Sequence, residues 1–570
     1  MGTYEKKAFG KDKQRLSRRS VAPGYGVDAF VLALGLTGFA FLLYLRTLAP
    51  GVLYYERPDL IDAAMLQVHP YVLGITHPTG YPLWTMLVHL FTYLPFGDPA
   101  YRTSLSSAVF GAATVSPLFF AALRMSGRLW AAAVGSLAFA VGNTFWGQAV
   151  IPEVYTLNAF FVSLIVLVLL VWRDTRENRY LLAVALLMGL SLTNHVTSGL
   201  LLPAAALFVF MVDRQKLLDR WLVLKGATLF FLGLLPYLYL PVRALTGPPF
   251  YEGDPGSFAG FLDLVLSREL GIGFGTLGWD VVLSRIADLP GYLLDEFHFG
   301  LLLVAATGII VVFRKDRASA LLLGIPCLGW LVYAIDYDIF DYFIYFIPSY
   351  LMLALFIASG TGAIIDRAER FVARHSLLLR RAVPVLISIP LLYLALADVG
   401  EDYPRLDYSQ DLEGRRIVEA VAEQTAPDAT VLHHRSPLPY MILVENRRAD
   451  LTLLSPWYPS RNPMRVWSAS SAPADEYPEQ EDIGSRGVAD ARVAAGKGPV
   501  YVLEGSTDLC AFQNAGFSVL EVEPDVLYEL VPPGGTPYTG SEARQWVASE
   551  TGNGITADEP PTCISRAGSA

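Results

Sequence analysis

Only three cysteines, Cys327, Cys510 and Cys563, occur among 570 residues. Their separations match neither the short spacing of a metal site nor the dense pattern of a disulfide scaffold. A Cys510 to Cys563 bridge is open if both residues are external, although Cys563 sits in a tail of loop composition. Charge is also scarce: 17% of residues are Asp, Glu, Lys or Arg, against 53% hydrophobic. The chain has no Walker phosphate loop and no Gly-x-Ser-x-Gly nucleophile turn, which argues against P-loop nucleotide chemistry and the α/β-hydrolases. Gly273, Gly275 and Gly278 fit the letters of the dinucleotide glycine pattern, but they fall in a loop between apolar runs and not in a strand-turn-helix unit. No repeat of solenoid period is present. The net charge of −10, with Lys and Arg gathered at the ends of apolar runs, leaves no phosphate-backbone footprint.

What the chain has in abundance is apolar sequence in runs of about 17 to 22 residues, each long enough to cross a bilayer. The first, Asp28 to Leu48, follows a basic arm carrying Lys6, Lys7, Lys11, Lys13, Arg15, Arg18 and Arg19. It is longer than a signal-peptide core and lacks a small-residue cleavage site, so it reads as an uncleaved anchor. Further spans are expected near Ser104–Leu123, Leu129–Val150, Val154–Trp172, Tyr180–Asn194, Val196–Val212, Gly226–Pro241, Phe297–Phe313, Ala318–Ala334, Tyr342–Gly362 and Ala382–Ala397. Leu83–Phe96 is short for a span and reads as a helix lying on the membrane surface. The fold class is therefore an all-α polytopic bundle of about eleven helices.

Basic clusters at Arg124 with Arg128, Arg173 to Arg179, Arg214 to Lys225, Arg314 to Arg317 and Arg367 to Arg381 mark the cytoplasmic ends under the positive-inside rule. The N-terminus is then inside the plasma membrane and the C-terminus outside. The expected divisions are a cytoplasmic arm (1–27), a membrane domain (28–399) whose first external loop is 49–103, an external α/β domain (400–532) and a tail (533–570) of disordered composition. In the α/β part, short β-branched runs at Thr430–Leu432, Leu451–Leu454, Val500–Leu503 and Phe517–Val522 alternate with helix-like stretches such as Leu412–Gln424.

This orientation, drawn from Lys and Arg alone, puts the unusual polar residues on one face. Asp59, Asp62, His77, Glu153, His195, Arg243, Asp336, Asp338 and Asp341 all fall at external helix ends or in external loops. Asp59 and Asp62, three residues apart, can share a helical face, and the prolyl turn His77 to Pro82 can close over them. An acidic loop beside a bilayer suits sugar transfer from a lipid-linked phosphate. The phosphate is already a leaving group, so the enzyme needs a carboxylate to take the acceptor proton and cationic or hydrogen-bonding groups to hold the departing phosphate. No cofactor and no metal is required. A transporter would more often carry internal repeats and midplane polar residues.

The ordered blocks Asp59-Leu60-Ile61-Asp62, His77 to Leu83, Phe145 to Asn158, Asn194-His195, Leu238 to Ala244 and Asp341 to Tyr350 resemble those of the protein O-mannosyltransferase-like family of GT-C polytopic membrane glycosyltransferases. The resemblance covers roughly Pro50 to Gly360. It implies a polyprenyl-phosphate sugar donor, mannose favoured, an acceptor hydroxyl such as Ser or Thr of an exported protein, and inverting single displacement. By the same resemblance Asp59 is the expected general base and Asp62, where the family usually has glutamate, the second carboxylate. His77 and Tyr81 shape the loop at the substrate. Glu153 and Tyr155 bind substrate or brace their loop, and His195 binds substrate or is a satisfied buried histidine. Arg243 holds the lipid phosphate or anchors the interface, and Asp341 serves the substrate or starts a helix. A lipid-linked glycan ligase, polymerase or envelope-lipid glycosyltransferase remains the alternative.

The topology is tested by single cysteines in a cysteine-free background. Asp254→Cys and Ser471→Cys should react with an impermeant thiol reagent in intact cells, and Arg176→Cys should not. The opposite pattern would put the acidic face in the cytoplasm.

Overall fold

The computed structural model describes residues 26–54, 62–268, 275–372, 377–457, 466–468, 483–538 and 544–545. Eight of its helices are long and apolar enough to cross a membrane, and up to ten spans result if each of two bent helix pairs counts as one. The expected span Tyr180–Asn194 folds as Asn178–Asn194, 17 residues, about 26 Å at 1.5 Å per residue and so short of a ~30 Å hydrocarbon core. The surface-helix expectation meets a ten-residue helix, Pro82–Phe91, far too short to span.

Two spans are broken. Leu129–Ala140 and Asn143–Ala149 meet at 65°, and Trp279–Glu296 and Phe299–Lys315 at 104°. Trp279–Glu296 falls where the apolar pattern suggested only loop, because its many polar positions hide the helix from a hydropathy reading. One side chain joins the two breaks: Glu296 accepts from the Thr144 backbone N–H at 2.9 Å, satisfying an N-terminal donor that the short helix leaves open.

Small residues let the bundle close. Gly308 on Phe299–Lys315 lies against the Phe356 carbonyl, and Gly360 on Ile347–Val372 against the Val304 carbonyl, so a Cβ at either position would enter the facing backbone. This is the small-residue packing by which membrane helices gain contact without a hydrophobic driving force. Ile347–Val372 is buried along most of its length and forms the centre of the main core with Trp84, Trp146, Trp172 and Trp330. At one end of the bundle, charges pair: Arg124 with Asp174 at 2.6 Å, Arg128 with Asp366 at 2.7 Å and Glu369 at 2.8 Å, and Arg173 with Asp316 at 2.7 Å. The acidic-loop residues gather at the other end.

The C-terminal part is a seven-stranded sheet in the order β3-β2-β1-β4-β6-β5-β7. Its strands are β1 (Thr430–Leu432), β2 (Thr452–Leu454), β3 (Val466–Ser468), β4 (Val500–Leu503), β5 (Ser518–Glu523), β6 (Leu527–Val531) and β7 (Arg544–Gln545). β1 pairs in parallel with β2 and β4, and the other pairings are antiparallel. All four strands expected from the sequence are present within a residue, and β3, β6 and β7 are added. Cys327 is a buried free thiol, while Asp59, Gly273, Cys563 and most of the tail lie outside the described residues.

This domain does not hang from the bundle; it shares a core with it. Val52, Ala64, Met65, Val68, Ala100 and Phe250 pack in one apolar cluster with Ile417, Val418, Tyr440, Met441 and Leu503. Gln67, fully buried, stitches the loop beneath: its carbonyl accepts from Leu53 N–H at 2.9 Å and its amide donates to Gly51 O at 3.2 Å. Arg415 pairs with Asp98 at 3.2 Å, the residue that caps Pro99–Ser126. Gly414, in the first turn of Glu413–Gln424, meets the Val52 and Leu53 backbone where a side chain has no room. Gly414→Val should undock the domain, read as protease cleavage near residues 407–412 that the wild-type protein resists; unchanged protection would show the interface to be dispensable.

Candidate functional site

The site begins with two loops that run side by side. Ile75 and Tyr251 form an isolated parallel bridge, with Ile75 N–H to Phe250 O at 3.3 Å and Glu252 N–H to Ile75 O at 2.8 Å. Gly74 precedes the bridge because Phe250 O and His69 leave no space for a Cβ. The bridge drives the Glu252 carboxylate inward, where its side chain is 3% exposed.

A buried carboxylate must be compensated, and four groups do it. His69 Nε2 lies at 2.8 Å, the His77 backbone N–H donates at 3.2 Å, His77 Nδ1 is 3.7 Å away, and Arg435 Nη2 is 3.5 Å from the second oxygen. His69 Nδ1 has no hydrogen-bond partner among the described residues, so its proton belongs on Nε2, facing Glu252. Burial pushes the Glu252 carboxyl up, but its bonds to His69 and His77 outweigh that and hold it at about 2. Burial lowers His69, against the pull of Glu252. The combination is a neutral imidazole donating to a carboxylate, with Arg435 as the permanent countercharge.

Asp62 stands beside this pair. It is bonded to Arg435 Nη1 and lies 3.5 Å from His77 Nε2. His77 therefore sits between Asp62 and Glu252, and it leads on into a buried aromatic cluster. Its ring meets Tyr81 edge-on at 5.2 Å; Tyr81 stacks on His195 at 6.0 Å; His195 meets Tyr155 at 5.5 Å and Tyr345 at 5.7 Å. His195 binds Thr197 Oγ1 through Nδ1 at 2.7 Å, while its Nε2 is buried without a hydrogen-bond partner among the described residues. An imidazole nitrogen left open in this way can bond one hydroxyl of a ligand.

Of the residues named from sequence, the fold thus joins Asp62, His77, Tyr81, Tyr155 and His195 in one chain of contacts. Glu153 is next to it: its backbone N–H donates to Ser107 Oγ at 3.0 Å, and it is buried two residues before the helix that opens with Tyr155. Asp341 is also buried, its carbonyl starting the turn that carries Tyr345. Arg243 lies at the same end, but Nε donates to Leu73 O at 2.7 Å, Nη2 to Val72 O at 3.4 Å and Nη1 to Thr246 Oγ1 at 3.1 Å. Its observed work is to brace the loop leading to His77. A cleft of about 300 Å³ lined by His298, Asp398, Glu401, Asp402 and Arg405 shares no residue with this cluster. Among the described residues no group of three or more His, Cys, Asp or Glu is arranged to hold a metal ion.

Sequence reasoning missed His69, Glu252 and Arg435. Glu252 was one acid in a loop of several, and Arg435 lies 373 residues from Asp62. The one available signal was the run His433-His434-Arg435 directly after a β-branched strand, an unusual density of ionisable groups at a strand end.

Comparisons with known proteins agree with the sequence resemblance. Residues 62–218 match the family described as protein O-mannosyl-transferase TMEM260 N-terminal domain. A mouse protein named protein O-mannosyl-transferase TMEM260 is 32% identical over 311 residues, which cover 52% of this chain and 42% of that protein. The chain thus spans under half the length of this relative. The structure of ArnT from Cupriavidus metallidurans in the apo state superposes with a TM-score of 0.56 at 13% identity, covering 88% of this chain and 97% of that one. The same protein bound to undecaprenyl phosphate gives 0.50, also at 13% identity, covering 89% and 99%. At that identity the likeness concerns the fold alone: a multi-pass helical bundle with a small C-terminal α/β domain. The resemblance to the O-mannosyltransferase-like GT-C family stands.

Glu252→Gln should destabilise the protein by roughly 3 kcal/mol, the free energy by which its surroundings favour the ionised over the neutral carboxyl, while Arg435 keeps Asp62 as a partner. The Glu252 pKa is depressed from its ordinary 4.5 to about 2, so its contribution is complete above pH 4.5 and is lost as pH falls toward 2. The melting-temperature gap between wild type and variant should be constant from pH 8 to 5 and narrow below 4.5. A gap that widens on acidification would remove the ion-paired reading.

Proposed function

We propose that this chain is a membrane glycosyltransferase that moves a sugar, mannose favoured, from a polyprenyl-phosphate donor to the hydroxyl of Ser or Thr in an exported protein. The observation that carries the reading is the arginine-compensated Asp62 and Glu252 pair beside a buried aromatic cluster, within a bundle whose matched segment is similar to protein O-mannosyl-transferases. ArnT, which shares this fold, has been crystallised with undecaprenyl phosphate bound, and that supports a lipid phosphate as the kind of donor the bundle accommodates. The one-ended clustering of the site, opposite the basic ion pairs, supports an external active face with the N-terminus inside and the C-terminal domain outside.

In the proposed reaction the acceptor oxygen attacks the anomeric carbon as the bond to the phosphate oxygen breaks, in one inverting displacement. The acceptor proton passes to a carboxylate, for which Asp59 is the assigned base. Asp62 orients the acceptor or the base. The phosphodiester monoanion leaves as a lipid phosphate monoester carrying one more negative charge, which needs a cation or hydrogen-bond donors at the leaving side. Tyr81, Tyr155 and His195 hold the sugar, and no cofactor or metal takes part. The lipid donor and the acceptor protein are the partners.

The test is transfer of label from a defined polyprenyl-phosphate mannose to protein and lipid fractions by the purified full-length chain. Label should appear in protein; label confined to lipid or glycan would make this an envelope-lipid or glycan glycosyltransferase, and none in either would end the reading. Asp59→Asn should lower turnover by about two to four orders of magnitude at saturating donor, Asp62→Asn less, and Asp62→Glu should be tolerated. Near-normal turnover by Asp59→Asn would shift the base to Asp62 or Glu153.

A further inference from the structure

We propose that Arg435, supplied by the C-terminal domain, is the cation that binds the lipid phosphate and takes up the charge released on it. The inference rests on the glycosyltransferase reading for its role in turnover, and on geometry alone for the binding site.

The loop that carries Arg435 follows β1, the strand flanked by β2 on one side and β4 on the other. The chain leaves β1 toward β2 and reaches β4 only later, so this loop lies at a switch point of the parallel strands, beyond their carboxyl ends. Open α/β sheets bind ligands in that crevice. Here the crevice faces the membrane domain's acidic cluster.

The loop is held firmly. His433 N–H bonds Leu454 O at 3.0 Å, its Nδ1 lies 2.9 Å from Ser436 Oγ, His434 N–H bonds Ser506 Oγ at 3.2 Å, and the His434 ring stacks on Trp457 at 4.5 Å. Arg435 itself adopts a left-handed backbone, φ 42°, a conformation that costs about 1 kcal/mol or more outside glycine and asparagine. That conformation aims the guanidinium away from its own domain, at Asp62 and Glu252.

Its donors are not exhausted there. A guanidinium has five N–H groups; Nη1 serves Asp62 and Nη2 lies 3.5 Å from Glu252. Among the described residues no hydrogen bond from Nε is present, and the side chain keeps 13% of its surface open. Arg243 and Arg285 have more of their donors committed within the fold. The first spends its nitrogens on Val72, Leu73 and Thr246, and the second spends its terminal nitrogens on the carbonyls of Ile335, Tyr337 and Ile339. A planar fork with free N–H groups fits two phosphate oxygens at once, and the departing group changes from monoanion to dianion as the C–O bond breaks. Asp62 and Glu252 position the fork.

The experiment uses the full-length protein in nanodiscs and a short-chain polyprenyl phosphate as probe, with inorganic phosphate at equal concentration as the second arm. Arg435→Gln should weaken polyprenyl phosphate binding at least tenfold and raise donor KM by a smaller factor, with Arg435→Lys between wild type and Arg435→Gln. Because Arg435→Gln exposes two uncompensated carboxylates, the double variant Arg435→Gln, Asp62→Asn is measured beside it; it relieves the charge imbalance and should still bind the lipid phosphate weakly. Wild-type affinity in either folded variant, or equal displacement of the probe by inorganic phosphate, overturns the assignment. A wild-type protein that binds the probe in an Arg435-dependent way but transfers no sugar would leave this site standing and remove the transferase reading. A wild-type protein without affinity for the probe would remove both.

Discussion

The Glu252 carboxylate is the constraint from which the rest of this structure can be read. Removing a carboxylate from water costs several kcal/mol even after relaxation, so it is tolerated only where donors and a countercharge are brought to it. Here they come from stretches far apart in sequence: His69 and His77 from the first loop, Arg435 from the C-terminal domain. Each of those stretches has to be folded and docked before the carboxylate is compensated. The site is therefore complete only when the first loop, the loop at Tyr251 and the sheet are assembled together, and the shared apolar core around Val52, Phe250 and Met441 supplies the driving force for that assembly.

The bundle contributes rigidity of a different kind. Close backbone contacts at Gly308 and Gly360 fix the central helix against its neighbour, and that helix opens with the turn carrying Tyr345. Tyr155 starts a neighbouring helix, and His195 sits at the break between two more. The aromatic cluster is thus made from helix ends, where backbone geometry is set by long packed elements. Tyr81, between His77 and His195, joins the aromatic cluster to the charge cluster.

What the sequence made legible follows from what kind of signal each feature leaves. Spans show as uninterrupted apolar runs, and the parallel strands β1 and β4 as short β-branched runs bounded by polar residues, so both were readable. Trp279–Glu296 was not, because a helix with many polar positions has no such run. Asp62, His77, Tyr81, Tyr155 and His195, which the fold brings into contact, could be named because they lie in local blocks whose order is informative. Glu252 and Arg435 were not, since their meaning is a distance in space, and nothing local distinguishes a buried glutamate from a solvated one. Arg243 shows the converse: a basic residue at the right membrane depth is visible in sequence, but whether its donors are free or committed to Leu73 and Val72 is decided by the fold of the loop beside it.

The same accounting of donors and lone pairs divides labour within the acidic loop. A base must offer an uncommitted lone pair to the acceptor hydroxyl at the moment of attack. One oxygen of Asp62 already accepts from Arg435 and the other faces His77 at 3.5 Å; Glu252 is buried and shared among His69, His77 and Arg435. Both carboxylates are placed to hold cations and imidazoles in position, and a proton arriving on either would weaken the pairing that fixes the guanidinium. On the proposed reading, Asp62 and Glu252 thus serve to position the guanidinium and the imidazoles, and the proton acceptor is sought in a carboxylate that is not committed in this way.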